Sequence, residues 1–211
     1  MPPAASPDCG TACQSAGAAA TAAGACFSPC GRYRWWLRRH WPRGRGRLLF
    51  IGLNPSRADG HRDDPSLRRL TGFAQAWGFA ELEVLNLFAR VAVRPTQLRQ
   101  LSDPCGADND TWLAERLERQ RQLWAAEAAA PVWLGWGNHG GRGGRDQQVL
   151  ELVWQWGCRP AWLGLTTSGQ PRHPLYVAAR TPLLLAGPSW AERRHAPLPS
   201  WPVSPVATPF T

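Results

Sequence analysis

Four short apolar runs, each followed by a polar loop, constrain what this chain of 211 residues can fold into. The runs have the length of β-strands and are largely continuous, which is typical of strands that are buried on both faces of a parallel sheet. Segments with helical spacing of apolar residues separate them. Strands that alternate with helices in this way predict an α/β fold with a central parallel sheet. The four runs are residues 48–53, 82–87, 132–135 and 161–165.

Helix signals fall between these runs. Asp64 followed by Pro65 predicts the start of a helix, because aspartate accepts hydrogen bonds from the first free backbone N–H groups and proline suits the first turn. Gly78 ends that helix. A second helix is predicted from about residue 108 to about residue 129, and a third carries the apolar residues between Val149 and Trp156.

One globular domain accounts for the chain. Residues 1–24 are rich in alanine and glycine and residues 189–211 are interrupted by prolines, so both ends are predicted to be disordered tails. Residues 25–188 form the domain, which is long enough to bury a core without disulfides. No run approaches the ~20 strongly apolar residues of a membrane span, and the N-terminus lacks the features of a secretion signal. We therefore expect a cytoplasmic protein with reduced cysteines and no membrane partner.

All 24 basic residues are arginine, against 15 acidic residues, which gives a net charge of +9. The absence of lysine excludes Schiff-base nucleophiles, pyridoxal-phosphate enzymes and the phosphate loop that ends in Gly-Lys-Ser/Thr. Seven arginines and no acidic residue lie between residues 32 and 47. Such a segment is either a phosphate-binding patch or a solvated surface, and its charge alone favours neither.

Polar residues follow the predicted strands at their carboxyl ends, which is the edge where open parallel sheets bind ligands. Asn54 follows the first run, Asn86 lies at the end of the second, and Trp136 follows the third. The loop after the fourth run leads to His173. Because the carboxyl ends of parallel strands meet at one edge, the sequence predicts a single polar site there.

The motifs at these strand ends resemble those of the uracil-DNA glycosylase superfamily. Residues 52–56, Gly-Leu-Asn-Pro-Ser, are similar to the first motif of the mismatch-specific uracil/thymine enzymes, Gly-Ile-Asn-Pro-Gly, and Asn86 stands like the strand-ending asparagine that contacts the base in the uracil enzymes. Residues 133–137 are similar to the family's Leu-Leu-Trp-Gly strand. His173-Pro174 matches the start of its closing His-Pro-Ser motif, although Leu175 replaces the serine. The same segments also resemble an uncharacterised bacterial family, a domain of unknown function.

The resemblance implies a three-layer α/β/α fold with a central four-stranded parallel sheet. It also implies a hydrolase that releases a deaminated or modified base from DNA by water attack at the N-glycosidic bond. Asn54 and His173 would be catalytic: the amide carbonyl orients the water, and the imidazole donates to the departing base, which it can do when neutral. Asn86 and Trp136 would bind the base. No cofactor and no metal is implied.

Such an enzyme takes its base out of the stack, and positive charge beside the pocket holds the phosphates while it does so. Arginine suits this contact because its planar fork matches a phosphate. The residues expected to bind phosphate are Ser56, Arg34, Arg38, Arg90, Arg94 and Arg172.

Each assignment has a structural alternative. Asn54 can organise its own turn, Asn86 can be a buried amide that holds a loop, and His173 can make a structural hydrogen bond. Two other functions remain open: an enzyme that acts on free nucleotides or nucleosides, and a nucleic-acid-binding module that keeps the fold without catalysis. Steep salt dependence of DNA binding argues against the nucleotide enzyme, because phosphate contacts release counterions.

Overall fold

The computed structural model describes residues 23–125, 130–187 and 203–205, and in this part of the chain eight strands form one mixed sheet. The strands are β1 Ala23–Phe27, β2 Arg34–His40, β3 Arg45–Gly52, β4 Phe79–Asn86, β5 Ala130–Leu134, β6 Cys158–Trp162, β7 Leu184–Ala186 and β8 Val203–Pro205. Their order across the sheet is β1-β2-β4-β3-β5-β6-β7-β8.

Helices cover both faces of the sheet. They are α1 Pro65–Ala76, α2 Asn109–Leu123 and α3 Arg145–Gln155. Leu67, Leu70 and Phe73 of α1 belong to one apolar cluster with strand residues of one face, whereas α2 and α3 contribute residues such as Leu117 and Val153 to the cluster on the other. The described residues therefore form three layers, which is compatible with the predicted α/β class.

The prediction of a central four-stranded parallel sheet is wrong, because the sheet has eight strands in the described residues and is mixed. The strands β4, β3, β5 and β6 are parallel neighbours. The hairpin of β1 and β2 adds antiparallel strands beside β4, and β7 and β8 add antiparallel strands beside β6. These additions pair exposed backbone edges of the parallel strands, and short pairings of that kind leave little hydrophobic pattern in a sequence.

The start of α1 is confirmed as predicted. Asp64 accepts a hydrogen bond at Oδ1 from the backbone N–H of Leu67 at 2.8 Å, and Pro65 occupies the first helical position. Both features satisfy or remove N–H groups that a helix start leaves without partners. Asp64 is thereby held in a fixed position directly beyond the carboxyl end of the sheet.

The predicted tails fall almost wholly outside the described residues; Ala23 and Gly24 lie in β1, and residues 203–205 form β8. Cys26 and Cys30 are each in a disulfide bond, so the expectation of reduced cysteines is wrong for these two. None of the helices in the described ranges is long and apolar enough to cross a membrane.

A buried carboxylate ties the sheet to α2. Glu83 on β4 is fully buried, and its two oxygens lie 2.8 Å from Arg47 of β3 and 3.4 Å from Arg116 of α2. These contacts are ion pairs without good hydrogen-bonding geometry, since both oxygens lack a suitably aligned donor. Arg116 also lies 3.9 Å from Glu115, but Glu83 is the one carboxylate of the described residues that both arginines approach.

We predict that Glu83→Ala lowers the free energy of unfolding by about 3–5 kcal/mol, because it leaves the buried guanidinium of Arg47 without its counter-charge and leaves that of Arg116 with the more distant Glu115, at 3.9 Å. Glu81→Ala is the matched control: Glu81 lies two residues away on the same strand, is partly exposed and approaches Arg38 only at 3.8 Å. That variant should lose no more than about 1 kcal/mol. Urea unfolding of both variants measures the difference, and equal losses would contradict the dependence on the buried pair.

Candidate functional site

A cavity of 680 Å³ opens at the carboxyl ends of the parallel strands. The chain leaves β3 for α1 on one face and leaves β5 for α3 on the other, so the ends of these neighbouring strands diverge and leave a crevice between them. Such a switch point is where open α/β sheets bind ligands. Seven of the residues named from the sequence line the cavity: Arg34, Asn54, Ser56, Asn86, Trp136, Arg172 and His173.

The side chain of Asn54 stabilises its own turn with one atom and leaves the other available to a ligand. Its Nδ2 donates to the backbone carbonyls of Pro55 at 2.8 Å and Ala92 at 2.7 Å, which anchors the turn after β3. These two donations also fix which way the amide points. Its Oδ1 accepts no hydrogen bond from the described residues, and the residue lines the cavity. The carbonyl oxygen is therefore available to a water or a ligand.

Asn86 is buried at the end of β4, and two elements hold it there. Asn109 at the start of α2 donates to the backbone carbonyls of Asn86 and Leu87, at 3.2 and 2.9 Å. Arg145 at the start of α3 donates to the Leu87 carbonyl at 2.8 Å. The side-chain Oδ1 of Asn86 accepts a hydrogen bond from Nη2 of Arg34 at 3.3 Å, whereas no described residue accepts one from its Nδ2.

Arg34 does not belong to a surface patch. It is 4% exposed, lines the cavity, and donates from Nη1 to the Ala58 carbonyl at 2.8 Å. Within the described residues no carboxylate oxygen lies within 4.0 Å of its guanidinium nitrogens. Burial lowers the pKa of Arg34 to about 10, while the charge of Asp64 acts in the opposite direction. A positive charge without an ion-pair partner thus borders the cavity.

His173 lies at the cavity wall as a neutral hydrogen-bond donor. Its Nδ1 accepts a hydrogen bond from the backbone N–H of Leu175 at 3.3 Å, so the proton of the neutral ring is on Nε2. Burial lowers the pKa of His173 below its usual 6.5, and Asp64 opposes that shift. The imidazole is therefore uncharged at neutral pH, a state in which it can still donate a hydrogen bond as the sequence analysis expects.

Asp64 is a cavity residue that the sequence analysis treated only as a helix cap. Its Oδ1 makes the cap, but no described residue donates a hydrogen bond to its Oδ2. It lines the same cavity, and its charge influences the pKa values of both Arg34 and His173. A carboxylate supplies the basicity that the amide of Asn54 lacks. The Asp-Asp-Pro signal located the residue but did not indicate that the first turn of α1 borders the site.

The ring of Trp136 is held rigidly in the cavity wall. Its Nε1 donates to Oε1 of Gln170 at 2.6 Å, and Nε2 of Gln170 donates to Oδ2 of Asp146 at 2.8 Å. A Cβ atom on Gly140 would lie only 2.0 Å from the indole, so this position has room for glycine alone. Packing and a hydrogen-bonded pair of side chains thus fix the ring plane.

Phe50 supplies an aromatic surface that the sequence analysis did not assign. It lines the cavity on β3 and lies edge-on to Trp133, with ring centroids 4.8 Å apart. A Cβ atom on Gly52 would approach its ring to 2.9 Å and one on Gly135 to 2.6 Å. Two glycines at neighbouring strand ends therefore allow the ring to pack directly against the backbone.

The other residues expected to bind phosphate do not gather at the cavity. Arg38 pairs with Glu81 and covers the Trp36 ring, Arg90 lies over the Tyr33 ring, and Arg94 is exposed; none of the three lines the cavity. Within the basic segment, Arg34, Arg38 and Arg39 contact different partners, because residues of one strand point to different faces, whereas Arg32, Arg43 and Arg45 are exposed.

A smaller, basic pocket of 350 Å³ adjoins the cavity and shares Asn138 and His139 with it. Arg99 and Arg142 line this pocket, and no acidic residue does. The Nη1 atom of Arg142 is buried and has no hydrogen-bond partner among the described residues. This positive pocket was not predicted, because its arginines are far apart in sequence and only the fold brings them together.

In a comparison with known families, residues 34–175 match a family model. The matching family is described as a protein of unknown function, DUF1643. Its matched region contains all ten of the site residues named from the sequence. The predicted resemblance to a domain of unknown function is thereby confirmed. No curated protein and no solved structure matches the chain.

We predict that Gly135→Ala destabilises the protein by about 1–3 kcal/mol, because the added methyl group overlaps the Phe50 ring and must displace it. Gly72→Ala in α1 is the control, since a Cβ atom there meets nothing within 4 Å. It should stabilise by about 0.5–1 kcal/mol, as expected for alanine in a helix interior. Urea unfolding distinguishes the two signs; a stabilised Gly135→Ala would refute the close packing.

Proposed function

The chain belongs to the DUF1643 family, whose function is unknown, and we propose that it is a hydrolase of N-glycosidic bonds that acts on a deaminated or modified base in DNA. The observation that carries the proposal is the composition of one cavity. It combines an available amide oxygen of Asn54, a carboxylate of Asp64, a neutral imidazole donor of His173 and the aromatic rings of Phe50 and Trp136. The resemblance of the strand-end motifs to uracil-DNA glycosylases supports the same chemistry.

Cleavage of an N-glycosidic bond develops positive charge on the sugar and negative charge on the departing base. Asn54 Oδ1 can orient a water molecule but cannot remove its proton, because an amide has no useful basicity. The free Oδ2 of Asp64 can accept that proton and can also stabilise the positive sugar. We therefore assign the positioning of the water to Asn54 and the base role to Asp64.

The departing base needs a hydrogen-bond donor that still carries its proton at neutral pH. His173 meets this requirement, since its Nε2 carries the proton while Nδ1 is occupied by the Leu175 N–H. A neutral imidazole donates to a developing oxyanion without placing a full charge in the cavity. Phe50 and Trp136 are each only 2% exposed, so they supply a rigid apolar part of the cavity wall for the base.

Two features favour DNA over a free nucleotide. The cavity mouth carries exposed apolar side chains, Val93, Leu175 and Tyr176, which are 50%, 41% and 81% exposed. Exposed groups of this kind can contact the bases that neighbour an extruded one. The adjoining pocket with Arg99 and Arg142 offers positive charge for a phosphate next to the bound nucleotide.

A base-release assay tests the proposal. Purified protein is incubated with duplex and single-stranded DNA that contains uracil, hypoxanthine, xanthine, hydroxymethyluracil or a thymine mismatch, and free bases are measured by mass spectrometry. We predict release of at least one base and a fall of about 10²–10⁴-fold in Asp64→Asn. Asparagine caps a helix as well as aspartate does, so this variant removes the charge and keeps α1.

Asp63→Asn is the matched control for that experiment. Asp63 is the preceding residue, pairs with Arg39 at 2.7 Å and does not line the cavity, so its release rate should stay within about twofold of wild type. Absence of release from every substrate by a folded protein would overturn the proposal and leave the nucleotide-acting enzyme and the binding module.

Salt dependence of DNA binding tests the phosphate pocket. If Arg99 and Arg142 each contact a phosphate, the combined variant Arg99→Gln with Arg142→Gln should reduce the slope of log K against log salt by about 1.8. Arg38→Gln is the control, since Arg38 lies outside both pockets and should leave the slope unchanged. A change in the control alone would instead favour the basic segment 32–47 as the DNA contact.

A further inference from the structure

The inner wall of the cavity presents hydrogen-bond donors and a positive charge. Arg34 and Asn86 form this wall and are each 4% exposed. Their contact, from Arg34 Nη2 to Asn86 Oδ1 at 3.3 Å, fixes the amide so that its Nδ2 donor is left without an acceptor in the described residues. The neighbouring cavity residues Leu37, Phe50 and Val84 are apolar. A ligand must therefore bring its own acceptor to this wall.

The charge of Arg34 determines which acceptor fits best. A carbonyl oxygen has two lone pairs, so Asn86 Oδ1 can accept a second hydrogen bond from a ligand. The guanidinium of Arg34 lies beside it, however, and favours a ligand that brings an acceptor or an anion over one that brings a donor. Burial without a carboxylate within 4.0 Å leaves this guanidinium poorly solvated. An anion bound next to it restores the missing partner and offsets the cost of desolvation.

We propose that Arg34 and Asn86 select a base whose buried edge is anionic, as in an oxidised purine with an acidic imide such as xanthine, over the neutral donor–acceptor edge of uracil. This inference rests on the proposed function in one respect, since it takes the cavity ligand to be a nucleobase. It deepens that function by assigning the substrate class. Inorganic or nucleotide phosphate has the same anionic chemistry, and the experiment separates the two sources.

Equilibrium binding of free bases to the full chain tests the inference without any requirement for catalysis. Isothermal titration calorimetry compares xanthine with hypoxanthine and uracil from about pH 6 to about pH 8, a range in which Arg34 remains charged and the two control bases remain neutral. We expect xanthine to bind roughly tenfold or more tightly than the neutral bases, because a charge-assisted hydrogen bond is about twice as strong as a neutral one. Its affinity should rise as the imide deprotonates, whereas hypoxanthine binding should stay flat.

Two variants test the positive charge of Arg34, one by removing it and the other by pairing it with a carboxylate. Arg34→Met keeps a long side chain without charge and should abolish the pH dependence of xanthine binding. Asn86→Asp keeps Arg34 in place and gives it a carboxylate partner, so it retains the fold even if Arg34→Met does not. It should lower xanthine affinity by roughly tenfold or more, because the carboxylate repels the bound anion.

Three outcomes would overturn the inference: equal affinity for xanthine and uracil at all pH values, an unchanged preference in Asn86→Asp, or displacement of xanthine by inorganic phosphate at this wall. Displacement would identify a phosphate as the anion. Binding and base release are separate measurements. A protein that binds xanthine in the expected way but releases no base supports this inference and refutes the proposed hydrolase.

Discussion

The buried carboxylate of Glu83 is the interaction on which the arrangement of this fold depends. It lies in β4, fully excluded from solvent, between Arg47 of β3 and Arg116 of α2. Because α2 presents few apolar residues to the sheet, polar contacts dock it: Gln120 donates to the Pro131 carbonyl at 2.9 Å, and Asn109 donates to the end of β4. The same contacts that place α2 therefore place Asn86. Helix α2 thus contacts both the buried ion pair in the sheet and the candidate site at the edge of the sheet.

Charge pairing also explains why part of the strongly basic segment does not contribute to a basic surface. Arg38, Arg39 and Arg47 each lie near an acidic residue, Glu81, Asp63 and Glu83 respectively. Arg34 has no such partner in the described residues and is buried beside the cavity instead. A fold tolerates a buried charge of this kind when hydrogen bonds compensate for lost water, and two carbonyl oxygens do so here only in part.

Local sequence signals predicted the parts of the molecule that depend on local physics. The apolar runs correspond to the four parallel strands, with starts displaced by two or three residues, and Asp64-Pro65 gave the start of α1. The aromatic residues 33–37 indicated a strand where β2 forms, but β1, β7 and β8 were missed, since β1 is mostly alanine and glycine and β7 and β8 are three residues long. Such strands form because an adjacent backbone edge is available, and the edge is a property of the tertiary fold.

The candidate site was also predicted only in part, where it depends on local sequence and strand geometry. Strand ends on one edge brought Asn54, Asn86, Trp136 and His173 to one cavity, because that follows from parallel strand geometry alone. The sequence did not predict the roles that depend on which side chains face each other in the folded protein. The sequence could not reveal that Oδ1 of Asn86 is occupied by Arg34, or that the second oxygen of Asp64 is left free by the cap.

The opposite charges in the cavity are the feature that fits the proposed bond cleavage better than simple binding. Asp64 and Arg34 both line it, yet no oxygen of the one lies within 4.0 Å of a nitrogen of the other, so they do not neutralise each other in a close ion pair. A helix cap holds the carboxylate, and hydrogen bonds to Ala58 and Asn86 hold the guanidinium. Cleavage of a glycosidic bond separates charge in the same sense, positive on the sugar and negative on the base. Fixed charges opposite in sign to those that develop on the sugar and the base stabilise that separation more than they stabilise the neutral substrate, which is the condition for catalysis.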